Sequence, residues 1–251
     1  MPLRRRETEA AALLASTDRE AYLRAHSGLP GPRGNLELID VASAVLGRDD
    51  LERWAALPAD AAPENTPDVF LVCVGVVGLG RAVAAGDRSP LPDLRHLAND
   101  PRWRVREAVA MALQAWGDTD AGALLAEMEG WAAGSPLEGR AAMAALCEPR
   151  LLRDVALVAG TLAVLDRLTA AVRAAPDSRS GDVRVLRKAL GYGWSVTVAA
   201  NPALGVPAFE RWLADSNPDV RWIVRENLGK ARLAGLAAWS AQPGQEPPPS
   251  R

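Results

Sequence analysis

The residues able to carry covalent or acid-base chemistry are few in this 251-residue chain, and they are scattered. The two cysteines, Cys73 and Cys147, fall inside apolar runs, and the two histidines, His26 and His96, stand far apart. That distribution supports no metal site, no disulfide framework and no thiol-histidine nucleophile, so no cofactor is expected. Gly75-Val76-Val77-Gly78-Leu79-Gly80 is glycine-rich, but its order is wrong for a dinucleotide fingerprint and no strand precedes it. Close helix packing is the expectation there. Tryptophan is the unusual residue, with eight in the chain against two each of Tyr and Phe. Two of them open the same pattern: Trp103-Arg104-Val105-Arg106-Glu107-Ala108-Val109 and Trp222-Ile223-Val224-Arg225-Glu226-Asn227-Leu228 share the order Trp, any, Val, Arg, Glu, any, aliphatic. An indole with a guanidinium three residues on can stack the cation on its ring and form a recognition surface, or each indole can pack against the neighbouring repeat, as large indoles usually do.

Helices must hold these residues. A small polar residue precedes proline at Thr66-Pro67, Ser89-Pro90, Asp100-Pro101, Ser135-Pro136, Asn201-Pro202 and Asn217-Pro218. Such residues accept hydrogen bonds from the free N–H groups of a first helical turn, and proline just inside loses no donor the helix needs, so each pair predicts a helix start. Ser135 with Glu138 completes a capping box. No period-two alternation or hairpin dipeptide marks a strand. Before Thr66, Glu9 to Arg24 reads as one amphipathic helix, followed by the loop Gly28 to Gly34, then Asn35 capping Leu36 to Leu46, then a second loop from Pro58 to Pro67. At about 100° per residue, Val105, Val109, Ala112, Leu113 and Trp116 share one buried arc, with Arg102 at its margin, while Trp103 and Arg106 lie opposite. In the later copy Val220, Ile223, Val224 and Leu228 form the arc, with Trp222 and Arg225 opposite. Asn227 faces the apolar side and is expected to brace an adjacent turn or loop backbone. The run Gly191-Tyr192-Gly193-Trp194 is expected to interrupt a helix beginning near Asp182, with Trp194 in the core and Tyr192 projecting beside Lys188.

With 49% apolar and 24% charged residues the chain can bury a sizeable core, and a formal charge of -2 provides no global basic field for nucleic acid. Glu7 and Glu9 break up the basic start, so no secretory signal is expected, and the apolar runs Val69 to Leu79 and Val155 to Leu165 are about half of the roughly 20 residues that cross a bilayer. Buried helices, a cytoplasmic location and no membrane partner are the expectations. The division expected is 1–66 as N-terminal helices, 67–235 as repeats and 236–251 as a mobile Pro-rich tail.

Asp100-Pro101-Arg102-Trp103-Arg104 and Asn217-Pro218-Asp219-Val220-Arg221 resemble the second-helix opening of HEAT repeats, and Leu113 to Ala121 resembles the loop between successive repeats. A third unit fits Ser135 to Cys147. The likeness covers about Ser89 to Cys147 and about Asp182 to Leu233. It implies an all-α, right-handed α-solenoid of HEAT-like helix pairs whose second helices line a concave wall. The family's consensus Arg normally pairs with an Asp of the neighbouring unit, which would engage Arg104 and Arg221. On this reading the protein is a non-catalytic scaffold that binds a macromolecule, foremost a protein, through Trp103, Arg106, Trp222, Arg225, Tyr192 and Lys188. Its oligomeric state stays open. The segment Arg221 to Lys230 is also similar to repeats grouped with the HEAT-like alkylpurine DNA glycosylases, and Trp116 to Asp120 has the spacing of their Trp-x-x-x-Asp element. That resemblance implies the alternative, a DNA-binding repair enzyme with Asp120 as its catalytic candidate, although Trp116 belongs to the buried arc.

Overall fold

A computed structural model describes residues 3–234. Among these there is no strand, and the helices are α1 (Leu3–Ala15), α2 (Arg19–His26), α3 (Leu36–Val45), α4 (Arg48–Ala55), α5 (Pro67–Ala84), α6 (Leu91–Leu97), α7 (Trp103–Gly117), α8 (Ala121–Trp131), α9 (Pro136–Leu146), α10 (Val155–Ala174), α11 (Gly181–Ala200), α12 (Pro202–Glu210) and α13 (Pro218–Leu228), with a final 3-10 turn at Ala231–Leu233. The fold divides after Asp120 into two compact units. The expected tail at 236–251 lies outside the described residues.

In the first unit α5 is the central helix, apolar on nearly every side and buried from Val69 to Gly80. Two glycine positions explain how neighbours reach it. A Cβ at Gly75 would stand 2.4 Å from the Leu51 carbonyl oxygen and 2.5 Å from the Ala55 nitrogen, and one at Gly80 would stand 2.4 Å from the Ala112 Cα. Only a missing side chain allows such approach. The contacts also give direction. Along α5, Gly75 meets Ala55 and Gly78 meets Leu51, so α4 runs antiparallel to it. Cys73 lies by the Arg104 carbonyl and Gly80 by Ala112, so α7 runs parallel to it. An antiparallel pair followed by a parallel stack of second helices is the arrangement of a helical repeat.

The second unit repeats the scheme with two layers. First helices α8 and α10 run parallel: Gly160 abuts Leu125, and Arg167 reaches the Glu129 carbonyl. Second helices α9, α11 and α13 run parallel too, since Gly193 meets Met143, Cys147 meets Thr197, Gly191 meets Trp222, and Asn227 binds at Ser195. This is the all-α solenoid class of stacked helix pairs. Helices α5 and α10 are long and apolar enough to cross a membrane by length and composition, and 72% and 50% of their apolar windows are buried within the fold.

The predicted helix starts hold to different degrees. Side-chain caps form at Ser135, Asn201 and Asn217, each accepting from an N–H of its first turn, and Asn35 caps α3 in the same way. Thr66 precedes α5 but turns its hydroxyl to the Pro63 carbonyl. At Asp100-Pro101 the helix begins two residues late, because the Asp100 carboxylate accepts from the Arg102 N–H and guanidinium and holds a turn ahead of α7. Ser89-Pro90 likewise starts its helix one residue late, at Leu91.

Two expectations need correction. Glu9 to Arg24 is not one helix: Asp18 accepts from the Ala21 N–H and starts α2 afresh after a break at Ser16 to Asp18. The glycines near 192 do not interrupt α11, which runs unbroken from Gly181 to Ala200. Instead they admit neighbours, with Gly193 under the Met143 thioether and Gly191 under the Trp222 ring. Helix stability lost at each glycine is offset by packing that a Cβ would forbid.

Candidate functional site

Of the seven described tryptophans only Trp103 is exposed, at 46%; Trp54, Trp116, Trp131 and Trp194 are buried, and Trp212 and Trp222 are half-buried. Three of the four buried indoles have a partner for the N–H: Trp54 donates to Glu20 at 2.9 Å, Trp131 to Glu127 at 2.9 Å, and Trp194 to the Thr169 hydroxyl at 2.9 Å, whereas the Trp116 N–H meets no acceptor among the described residues. Trp194 is therefore core, as its place on the apolar arc predicts.

Trp103 and Trp222 both carry a stacked guanidinium, but not from the expected residue. Arg104 lies over Trp103 at 4.4 Å, and Arg187, from the preceding second helix, lies over Trp222 at 4.7 Å. Arg106 turns back to the carbonyls of Asp100 and Pro101, at 2.5 and 3.0 Å, and so closes the turn before its own helix. Arg225 is exposed. The stacking cation is thus the next residue of the same helix for Trp103 and a residue of the neighbouring helix α11 for Trp222. Arg187 also pairs with Asp219. The pairing expected of the repeat's consensus Arg thus occurs between α11 and α13, but through Arg187 rather than Arg221. Arg104 pairs with Glu64 at 3.0 Å, from the loop before α5.

The outer face of α11 and α13 gathers the remaining candidates. Tyr192 is 46% exposed, and the cation over its ring is Arg232 at 4.6 Å, which also donates to its hydroxyl at 3.1 Å. Lys188 is exposed one turn earlier. Trp222 packs its ring edge against Gly191 and leaves its remainder half open. Arg184, Lys188, Arg221 and Arg225 are all exposed, and none forms an ion pair or side-chain hydrogen bond with another described residue. Behind them Asn227 is fully buried. Its amide accepts from the Ser195 N–H at 2.8 Å and donates to the Leu190 carbonyl at 2.9 Å. The brace expected of Asn227 is thus on a helix rather than a loop, inserted into the backbone ladder of α11 and locking α13 to it.

Sequence reasoning missed a second feature. Within the first unit, the loop Gly28 to Gly34, α3, α5 and α7 enclose a cleft of about 390 Å³, walled by Leu29, Leu36, Phe70, Trp103 and Met111 with Cys73 at its base. The loop is pinned by three bonds: Arg104 donates to the Gly31 carbonyl at 2.7 Å, the Gly31 N–H to Asn65 at 3.2 Å, and the Asn35 N–H to the Ser27 carbonyl at 2.8 Å. Gly28 adopts a φ of 74°, open to glycine at no steric cost. In the proline-glycine loop that bounds it, Asn35 is the cap of α3, and the exposed Arg33 lines the cleft.

No acid-base or nucleophilic centre accompanies these surfaces among the described residues. Burial pushes the thiols of Cys73 and Cys147 up to about 12, so both stay protonated at neutral pH. No group of three His, Cys, Asp or Glu residues is placed to hold a metal ion among the described residues. Asp120 is exposed at the end of the first unit, 3.7 Å from Arg88, whose guanidinium lies 4.3 Å over the buried Trp116.

Residues 73–146, from α5 through α9, match the family model of HEAT repeats. No curated protein matches the chain, and no solved structure does.

Proposed function

From the premise that this chain is a HEAT-like repeat protein, we propose that it is a non-catalytic scaffold that binds an acidic segment of a protein partner on the outer face of α11 and α13. HEAT repeats suit such a role, because stacked second helices present one extended surface. The observation that carries the reading is the set Arg184, Lys188, Arg221 and Arg225 on α11 and α13, each exposed and none in an ion pair with another described residue. Other arginines of this unit are paired, Arg173 with Asp215 at 2.9 Å and Arg211 with Asp166 at 2.9 Å, while Arg153 and Arg179 are exposed singly, away from these rings in sequence. Tyr192 and Trp222 add flat apolar surface between the cations, the composition that binding hot spots favour. The cations steer an acidic partner, and the rings hold it.

A test uses the full chain and three probes: a Glu/Asp-rich peptide interspersed with Leu, its Gln/Asn counterpart, and an alkylated DNA duplex. The acidic peptide is expected to bind, with affinity falling as salt rises. The combined variant Arg184→Gln, Lys188→Gln, Arg221→Gln and Arg225→Gln should weaken it by about tenfold or more while keeping the unfolding midpoint, because exposed unpaired charges contribute little to stability. Equal binding by wild type and variant refutes this face. Tighter binding of the duplex, with release of the altered base, favours the nucleic-acid enzyme instead.

A further inference from the structure

The cleft of the first unit is separate from that face, and nothing in the scaffold role requires it. We infer that it binds a small amphipathic carboxylate, with the apolar body against Leu29, Phe70, Trp103 and Met111 and the carboxylate on Arg33.

Size and lining come first. About 390 Å³ falls in the range of small-molecule sites, and walls that are mostly apolar with few polar groups are what such sites have. Trp103 and Leu36 contribute to those walls while remaining 46% and 59% exposed. Covering them removes apolar surface from water, the main driving term for an apolar guest. The cleft is also pre-formed, since Arg104 and Asn65 fix its loop, so little ordering opposes binding.

Charge then selects the head group. Three ionisable side chains reach the cleft: Arg33, Arg104 and Glu107. Arg104 is neutralised by Glu64 and has its guanidinium on the loop. Glu107 is engaged in an interaction of its own. Arg33 is exposed and pairs with no described residue. Of the two lining cations, Arg33 is the one with no partner among the described residues, and its planar fork matches a carboxylate. A single negative charge fits it, while a cationic head group would meet Arg33 unfavourably.

Calorimetry on the full chain tests this with sodium decanoate and decyltrimethylammonium, each below its micelle concentration. Decanoate is expected to bind at one site per chain, about tenfold or more tighter than the cation. Arg33→Gln should weaken decanoate by about fivefold or more and strengthen the cation, so that the preference between the two probes shrinks. Met111→Trp, which fills the cleft, should abolish both; should that variant unfold, Leu36→Glu, at an exposed position, puts a carboxylate in the mouth and should remove decanoate binding alone. Absence of decanoate binding, equal binding of the two probes, or indifference to both Arg33→Gln and Leu36→Glu overturns the inference. None of these outcomes touches α11 or α13, so the scaffold reading stands or falls by its own test.

Discussion

Helices α7 and α13 open with the same Trp-x-Val-Arg-Glu pattern, yet their arginines have opposite fates. Before and within the first turns of α7, Arg102 is buried, with its guanidinium on both Asp100 oxygens and on the carbonyls of Leu57 and Ala62. Arg104 reaches Glu64 and Gly31, and Arg106 closes onto Asp100 and Pro101. At α13, Arg221 and Arg225 are exposed and meet no acid among the described residues. The difference comes from what surrounds the helix. The loop from Leu57 to Asn65 lies against the start of α7 and supplies carbonyls and a carboxylate. Charge follows the same division: residues 1–120 hold 14 basic and 18 acidic residues, and residues 121–251 hold 15 and 13. A motif sets where a cation sits on its helix; the neighbouring chain decides whether it is a structural anchor or an open binding group.

The sharpest way to break this contrast is Arg102→Ala. It strips from the nearly buried Asp100 carboxylate the one guanidinium that pairs with it among the described residues and leaves loop carbonyls unpaired, so unfolding by urea should show a loss of about 3–5 kcal/mol. Arg221→Ala, an exposed unpaired charge in the other unit, should stay within about 0.5 kcal/mol. Equal effects would erase the distinction. Next in size is Asn227→Ala, which orphans the Ser195 N–H and the Leu190 carbonyl inside the second unit and should cost about 2–3 kcal/mol. Hydrogen exchange at Ser195 should quicken with it.

Acid sharpens the comparison more gently. Hydrogen bonds from Arg53 and then Trp54 hold the Glu20 carboxyl down at about 2, and Ser89, through its side chain and backbone, together with Arg48, holds Asp87 at about 2. A carboxyl with a lowered folded pKa stabilises the fold fully above its unfolded pKa, about 4.5 for Glu20, and that contribution is lost as pH falls towards 2. Both groups belong to the first unit. Glu20→Gln should flatten the fall in thermal midpoint between about pH 4.5 and 2, and near-ultraviolet dichroism of Trp54 should follow it. An unchanged acid profile in that variant would show that Glu20 carries none of the slope.

The helical repeat was legible because its signals are local. Asn35, Ser135, Asn201 and Asn217 act as caps where the sequence places them, and Trp116 and Trp194 are buried on the arcs that helical spacing assigns. The division between α1 and α2 was misread because one capping residue, Asp18, outweighs an amphipathic pattern that runs across it. The stacking cations were misassigned for a different reason. Arg106 and Arg225 stand at the right spacing on their helices, but Arg104 and Arg187 have the better approach to the rings, and for Arg187 that approach comes from another helix. The cleft left almost no trace, since its walls come from a loop and three helices spread between Leu29 and Met111.

Sequence by itself determined that this protein is helical, where several of its helices begin, and which stripe of α7, α11 and α13 faces inward, because capping, proline placement and apolar spacing act within a few residues. Only the tertiary structure decided which arginines are neutralised, that Gly191 and Gly193 are points of helix contact, and that Trp103 walls a cleft. Those outcomes depend on which distant segment arrives beside each side chain, and a guanidinium or an indole offers the same chemistry to whichever one does.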